Sequence, residues 1–369
     1  MLLSNLKYVN GDFSVVNGSI EIEGEKISGF SFEKGGIDMQ NLLAIPGFVD
    51  IHTHGGDGVD WCDMDGEKFQ KLSMYYAKRG VTSVCPTTMT LPESSLRSIL
   101  EAVEKLKGNE SGAYIHGINL EGPYISYAKR GAQNPEYIRP ADEKEFERLN
   151  AVSKILLVDL APETEGALSF ARSVSKSAVC SVAHTAATFE QAQKGFENGF
   201  THATHLFNAM TAFESRSPGV VGAVFASDRV TAELICDGFH LAAETVKLAF
   251  KILGAHRVVA ISDSLSSAGC RDGEYMLGGQ KVIVKNSRAH LEDGTIAGST
   301  TNLFEEFRNL LSFSIPFSDA LAACTINPAR VIGADGVCGS LEKGKNADII
   351  FVDDSMNLKH VLIKGKMIF

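Results

Sequence analysis

Six residues that can bind a metal ion or transfer a proton each end, or closely follow, a short apolar segment of this sequence. They are His52, His54, Glu121, His184, His205 and Asp263. The segments are "GFVDIHTHG", "INLEG", "VCSVAH", "THATHLF" and "VVAISD". Imidazole and carboxylate ligands together are typical of sites for zinc, iron or manganese. A bound divalent cation activates water near neutral pH, so this residue set indicates metal-assisted hydrolysis.

The common position of these residues is more informative than any of them alone. A single histidine at the end of a strand usually has a structural role, and Glu121 or Asp263 alone could cap a helix. His52 and His54 are two residues apart, so on a strand their side chains share a face. Capping does not explain why five segments end in the same way. The other histidines lack this placement and are assigned structural or surface roles: His116, His202, His256, His290 and His360.

The elements that must position these residues follow from the pattern of the chain. Between 47 and 331, eight short apolar segments alternate with helical segments, which predicts an α/β protein with a closed (β/α)8 barrel. Residues 1–46 and 332–369 are strand-like, and we expect them to form one small β-sandwich domain. An open doubly wound sheet is the alternative, but it usually has a glycine-rich turn after an early strand. Catalytic residues of such barrels lie at the carboxyl ends of the strands, where all six residues are expected.

Composition excludes several classes of function. The chain has 369 residues, a formal net charge of -10 and no run of lysine or arginine, so neither nucleic acid nor a membrane surface is an expected partner. Seven cysteines without a Cys-x-x-Cys pair indicate a reduced, cytoplasmic protein. No apolar stretch is long enough to cross a bilayer.

Longer motifs around these residues resemble those of the amidohydrolase superfamily. The finer resemblance is to its N-acetylglucosamine-6-phosphate deacetylases, and it extends over nearly the whole chain. It rests on "LEGPY", "KRGAQNP", "LAPE", "THLFNAM", "DGFH", "ISDS", "GTIAGS" and "NPA". The pair "HLFNAM" and "EGP" is specific to these deacetylases, whereas His-Thr-His marks only the superfamily.

The resemblance implies a metal site. Glu121, His184 and His205 match the ligands of the primary metal, and His52 and His54 would add a second one. Some family members carry amide residues at the first-strand positions and bind a single metal. We therefore expect one or two divalent cations per subunit, zinc or iron before manganese or cobalt. The fourth strand offers no lysine as a bridging ligand, so Glu121 would have to bridge two metals.

The resemblance also implies a substrate site for a phosphorylated amino sugar. Contacts to the sugar are expected from Ala132, Gln133, Asn208, Ala209, Ile296, Ala297 and Gly298. Arg216 and His240 match the phosphate-binding residues, and an arginine fork suits a phosphate group. Gln133 stands where some relatives have a histidine. In the family the phosphate-binding histidine comes from a neighbouring subunit, which implies a homodimer with His240 reaching the neighbouring active site.

The implied reaction is hydrolysis of the acetamide of N-acetylglucosamine 6-phosphate, with Asp263 as general base and acid. It belongs to amino-sugar catabolism or cell-wall sugar recycling. The alternatives are another deacetylase, deaminase or cyclic-amide hydrolase of the superfamily, which product analysis for acetate or ammonia would distinguish. A non-enzymatic relative would be expected to have lost metal ligands or the aspartate of the eighth strand, and this chain retains them.

Overall fold

A computed structural model describes residues 1–63 and 65–369, and its central element is a parallel β-barrel surrounded by helices. Its strands are short, apolar and buried along their length, which is the pattern of parallel strands covered on both faces. The barrel strands, in chain order, are Phe48–Thr53, Val81–Pro86, Ile118–Glu121, Ile155–Leu160, Val179–Val182, Phe200–Ala203, Thr231–Ile235 and Val258–Ile261. All eight coincide with apolar segments of the sequence, so the predicted α/β barrel is confirmed.

The barrel closes on itself. The first strand pairs with the second, and the third to eighth strands pair in chain order. A parallel bridge between Thr87 and Asn119 joins the second strand to the third. The Asp263 amide donates to the His52 carbonyl over 2.9 Å, which joins the end of the eighth strand to that of the first. Closure therefore brings His52 and Asp263 together, although 211 positions separate them.

Amphipathic helices connect the strands and cover the barrel. In Glu93–Leu106, for example, Leu96, Ile99 and Val103 recur at helical spacing and are buried against the barrel, while the opposite face is polar. The helices of the described residues are Gly66–Ala77, Glu93–Leu106, Glu143–Asn150, Ala167–Val174, Phe189–Glu197, Gly219–Ala226, Ala243–Leu253, Leu303–Ser312, Phe317–Cys324 and Ile326–Val331. Short 3-10 helices occupy Trp61–Asp63, Tyr127–Lys129, Pro135–Tyr137 and Ala255–Arg257.

The two ends of the chain meet in one continuous eight-stranded sheet. Its strands are Leu2–Val9, Val15–Glu23, Lys26–Ser31, Ile37–Asp38, Leu43–Pro46, Ile349–Val352, Leu358–Ile363 and Lys366–Met367. Leu43–Pro46 from the first part pairs antiparallel with Ile349–Val352 from the second. A sandwich of the two ends was expected, and the structure has one connected sheet with a hydrophobic core of its own.

A three-stranded antiparallel sheet follows the eighth barrel strand. Its strands are Gly273–Leu277, Gln280–Lys285 and Arg288–His290. Shorter strands elsewhere are Gly55–Gly56, which pairs with Val59–Asp60, and Tyr114–Ile115, which pairs parallel with the second barrel strand. Within residues 1–63 and 65–369, no helix has the length and apolar character needed to cross a membrane.

Candidate active site

Four predicted metal ligands, all histidines, converge on the carboxylate of the fifth, Glu121, at the carboxyl end of the barrel. Glu121 Oε1 lies 3.0 Å from His184 Nε2 and 3.2 Å from His205 Nε2. His54 Nε2 lies 3.4 Å from Glu121 Oε2, and His52 Nε2 lies 3.6 Å from Oε1. All five side chains are buried. Two groups of three possible ligands, each within 4.8 Å of one another, therefore share Glu121.

The hydrogen bonding of His52 indicates that a divalent cation would fit among these residues. Its Nε2 is buried and has no hydrogen-bond partner. The groups opposite this nitrogen are carboxylate oxygens, Glu121 Oε1 at 3.6 Å and Asp263 Oδ1 at 3.7 Å. Imidazole nitrogen and carboxylate oxygen facing one another across such a gap are suited to sharing a cation.

The histidines of the fifth and sixth strands are oriented by main-chain oxygens. His184 Nδ1 lies 3.0 Å from the Lys129 carbonyl, and His205 Nδ1 lies 3.2 Å from the Asn208 carbonyl. Because a carbonyl oxygen only accepts, each Nδ1 donates the proton. The lone pair of each ring is then on Nε2, which faces Glu121. In known metal sites, a histidine ligand likewise donates its other ring N–H to a carbonyl or carboxylate oxygen.

Two histidines of the cluster and Asp263 adopt left-handed backbone conformations. The φ angles are 42° at His184, 30° at His205 and 46° at Asp263. Such a conformation costs on the order of 1–3 kcal/mol for a residue with a side chain, so the surrounding structure must hold it in place. In each case it occurs just after a barrel strand, where it helps to set the direction of the side chain relative to the barrel mouth.

Asp263 is an ionised acid beside the ligand cluster. Its Oδ1 lies 3.2 Å from His54 Nε2. Burial raises the pKa of Asp263, but the hydrogen bond from His54 and the charges of His52, His54 and His205 outweigh burial and lower it below its usual value. A carboxylate at this position can accept a proton from a group held between it and the histidines.

A pocket opens above the cluster and contains most of the predicted substrate contacts. Its walls include Ala132, Gln133, Asn208, Ala209, His240, Ile296, Ala297 and Gly298, together with His54, Glu121, His184, His205 and Asp263. Arg216 is not part of the described wall and lies on an exposed loop. Every predicted substrate residue except Arg216 is therefore beside the cluster.

Gln133 lines the pocket and also donates a hydrogen bond to Glu121, a predicted metal ligand. Its Oε1 accepts from the Thr90 amide over 2.7 Å, and its Nε2 donates to Glu121 Oε2 over 2.6 Å. Because the Thr90 amide can only donate, the orientation of the Gln133 side chain is fixed, and its NH2 group faces the carboxylate. These contacts give Gln133 a role in orienting Glu121 that the sequence did not indicate.

His240 belongs to the pocket of its own chain, which corrects the expectation that it reaches a neighbouring subunit. His240 Nε2 lies 3.1 Å from the Ala297 carbonyl, and Nδ1 lies 2.8 Å from Asp237 Oδ2. Burial lowers the pKa of His240, but the hydrogen bond and charge of Asp237 outweigh it and raise the pKa above its usual value. These contacts hold the ring in the same pocket as Asp263.

A group of buried polar residues near His52 was not predicted from the sequence. Glu233 and Asp159 lie on the seventh and fourth strands, and His202, for which the sequence predicts a structural role, contacts Glu233. The available signal was a charged residue inside the apolar segments "TAELI" and "ILLVDL". An inward-facing acid in such a strand requires a buried partner.

Comparisons with known proteins agree with this geometry. The sequence model of the Amidohydrolase family matches residues 43–368. The chain is 35% identical over 330 residues to the N-acetylgalactosamine-6-phosphate deacetylase of Escherichia coli O157:H7, covering 88% of this chain and 87% of that protein. It is 33% identical over 384 residues to the N-acetylglucosamine-6-phosphate deacetylase of Bacillus subtilis, covering 100% and 97%. Among solved structures, a mutant of the Mycobacterium smegmatis deacetylase in complex with N-acetyl-D-glucosamine-6-phosphate has a TM-score of 0.94 at 28% identity, covering 100% of this chain and 99% of that one.

Proposed function

The chain belongs to the amidohydrolase family, and from this premise we propose that it hydrolyses N-acetylglucosamine 6-phosphate to glucosamine 6-phosphate and acetate. The observation that carries the proposal is the convergence of four imidazoles on Glu121, with Asp263 Oδ1 at 3.2 Å from His54 Nε2. The relatives that act on phosphorylated N-acetyl sugars match along nearly their whole length. Amino-sugar catabolism is the corresponding cellular process.

The protein is metal-dependent as a member of this family, and we propose zinc or iron, with manganese and cobalt as alternatives. Glu121, His184 and His205 would hold a first ion, while His52 and His54 would share Glu121 with a second. When bound, a divalent cation lowers the pKa of water and polarises the acetyl carbonyl.

Asp263 would transfer a proton from the attacking water to the departing amine. As a carboxylate it accepts a proton from the attacking water, whose oxygen bonds to the acetyl carbon. When the carbon–nitrogen bond breaks, Asp263 returns that proton to the departing amine. Asp263 lines the same pocket as the predicted sugar contacts, so it is accessible to a substrate bound there. His240 and the loop of Ile296, Ala297 and Gly298 would position the sugar beside it.

We further propose a homodimer, because the described pocket lacks a permanent cation for the phosphate. Neither arginine nor lysine lines it. Arg216 lies on the exposed loop that follows Ala209, and its neighbour Phe213 is 58% exposed. In this dimer Arg216 of the partner subunit completes the phosphate site, while His240 stays within its own pocket. The chain would act in the cytoplasm, as its seven free cysteines suggest.

Replacing Arg216 tests the phosphate site. Arg216→Ala should raise KM for the 6-phosphorylated sugar by about 10- to 100-fold, because a charge-assisted bond to phosphate contributes about 1.5–3 kcal/mol. KM for unphosphorylated N-acetylglucosamine should not change. Arg229→Ala, a change on another exposed part of the surface, is the control. Equal effects of Arg216→Ala on both sugars would reject the assignment.

Acetate release tests the function itself. Purified protein should release acetate from N-acetylglucosamine 6-phosphate, and the C4 epimer, N-acetylgalactosamine 6-phosphate, is the second substrate to compare because one relative is named for it. We expect the higher kcat/KM with the first sugar. Ammonia release without acetate would instead indicate a deaminase.

A further inference from the structure

Glu233 is a buried acid that contacts one residue in each of the two groups of predicted metal ligands, His52 and His205. It lies on Thr231–Ile235, the seventh barrel strand, and its side chain is completely buried. Its Oε2 lies 3.0 Å from His52 Nδ1 and 3.1 Å from the His205 amide nitrogen. Its Oε1 lies 3.2 Å from His202 Nε2. Three nitrogen atoms therefore surround one carboxylate in a region without solvent.

These contacts determine the proton position on His52. The His205 amide can only donate, so Glu233 Oε2 acts there as an acceptor. A metal-binding imidazole is neutral, so the acceptor 3.0 Å from His52 Nδ1 places its single ring proton on Nδ1. The lone pair is then on Nε2, the buried nitrogen that has no hydrogen-bond partner and faces Glu121 and Asp263.

No other described carboxylate can replace Glu233 in this role. Asp159 Oδ2 lies 3.8 Å from His52 Nδ1, which is beyond hydrogen-bonding distance. The hydroxyl of Thr204 instead donates to Asp159 Oδ1 over 2.8 Å. His54 Nδ1 is buried without a hydrogen-bond partner, so of the two first-strand histidines only His52 has its Nδ1 held by an acid.

We propose that Glu233 is a positioning residue for a second metal ion, because it fixes His52 with its Nε2 lone pair facing Glu121. This inference rests on the metal-binding part of the proposed function. A carboxylate that accepts the outer proton of a metal-binding imidazole fixes the tautomer and strengthens the ligand, and its loss typically weakens metal binding by about 10- to 100-fold. Glu233 also accepts from the His205 amide, but the His205 ring is oriented by the Asn208 carbonyl, so Glu233 orients only the ring of His52.

Zinc binding at equilibrium tests the inference. Full-length protein is equilibrated with buffered free zinc at graded concentrations, and bound zinc per chain is counted. We expect two binding steps in the original protein. Glu233→Ala should weaken one step by about 10- to 100-fold and leave the other within about 3-fold. Glu233→Gln retains an acceptor but not the charge, so its zinc affinity at that step should lie between those of the original protein and of Glu233→Ala. It also keeps the inference testable if the alanine variant does not fold.

Two control variants distinguish the loss of His52 positioning from the general effect of replacing a buried side chain. Glu306→Gln alters another completely buried acid, which accepts from Thr301 and touches no proposed ligand, and should leave both steps unchanged. His52→Asn should abolish the same step that Glu233→Ala weakens. Adding Glu233→Gln to His52→Asn should have no further effect on the remaining step, because the two residues act through one ring.

Three results would overturn the inference: two unchanged steps in both Glu233 variants, equal weakening of both steps, or a single step in the original protein. Acetate release is measured separately on the original protein with both phosphorylated sugars. Absence of acetate would reject the proposed function, whereas normal acetate release with a single zinc step would reject only the role of Glu233.

Discussion

At the scale of single residues, the site combines groups whose charges are set by one another. Asp263 and Glu121 have pKa values below the usual range, because hydrogen bonds and charges from the surrounding histidines outweigh the effect of burial, which raises them. Both are therefore carboxylates, but their surroundings differ. Glu121 contacts four imidazoles and Gln133, while the Asp263 side chain contacts His54 most closely and lines the pocket. This difference is the basis on which we propose ligand binding for Glu121 and proton transfer for Asp263.

The residue-scale prediction concerns Asp263. Asp263→Asn keeps the shape but removes the proton acceptor, so kcat for acetate release should fall by about 100- to 10,000-fold while zinc remains bound. Acetate assays and metal analysis on the same preparation measure the two effects. Asp354→Asn, at a side chain that is 91% exposed, should have neither effect. Full activity of the Asp263 variant would exclude it as the base.

At the scale of elements, the segment after the three-stranded sheet packs directly on Asp263, the proposed proton-transfer residue. The Ser299 amide donates to the Asp263 carbonyl over 2.7 Å. A Cβ atom on Gly298 would lie 2.5 Å from that carbonyl oxygen and 3.1 Å from Asp263 Oδ1. Glycine is required here because the backbone approaches the acid more closely than any side chain permits.

The element-scale prediction follows from this contact. Gly298→Ala must displace either the loop or Asp263, and we expect kcat to fall by about 10- to 100-fold, since small displacements of reacting groups have large effects on rate. Circular dichroism should show a folded protein. Gly336→Ala is the matched control, because a Cβ there meets no atom within 4 Å. Unchanged kcat in Gly298→Ala would mean that the loop does not constrain Asp263.

At the scale of the whole molecule, a buried acid joins the sheet of the chain ends to the barrel. The hydroxyl of Tyr114 donates to Asp348 Oδ2 over 2.9 Å, and the Lys364 amide donates to Oδ1 over 2.8 Å. Tyr114 belongs to the short strand that pairs parallel with the second barrel strand. Burial raises the pKa of Asp348 to about 6 despite these hydrogen bonds. Ionisation of this acid therefore costs more free energy in the folded protein than in the unfolded chain.

The corresponding prediction is a pH-dependent difference in stability. An acid with a raised pKa binds its proton more tightly in the folded state, so its contribution to stability decreases as the pH rises from about 4 to 6. Relative to Asp348→Asn, the original protein should lose up to about 3 kcal/mol of stability across that range. Urea unfolding of chelator-treated protein at pH 4 and pH 7 measures the difference. A difference that does not vary with pH would contradict the raised pKa.

The sequence by itself determined the barrel, the six residues at its rim and their chemical types. This was possible because strands and helices have regular periods, and because parallel strands of a barrel end on the same side, so that the last residues of "GFVDIH" and "VVAISD" must approach. The fine arrangement depended on contacts between residues far apart in the chain. His52 and Glu233 are separated by 181 positions, and no local pattern connects them. Only the tertiary structure placed Glu233 under His52, turned Gln133 towards Glu121 and kept His240 in its own pocket, because these outcomes depend on distances of a few ångströms that close packing alone sets.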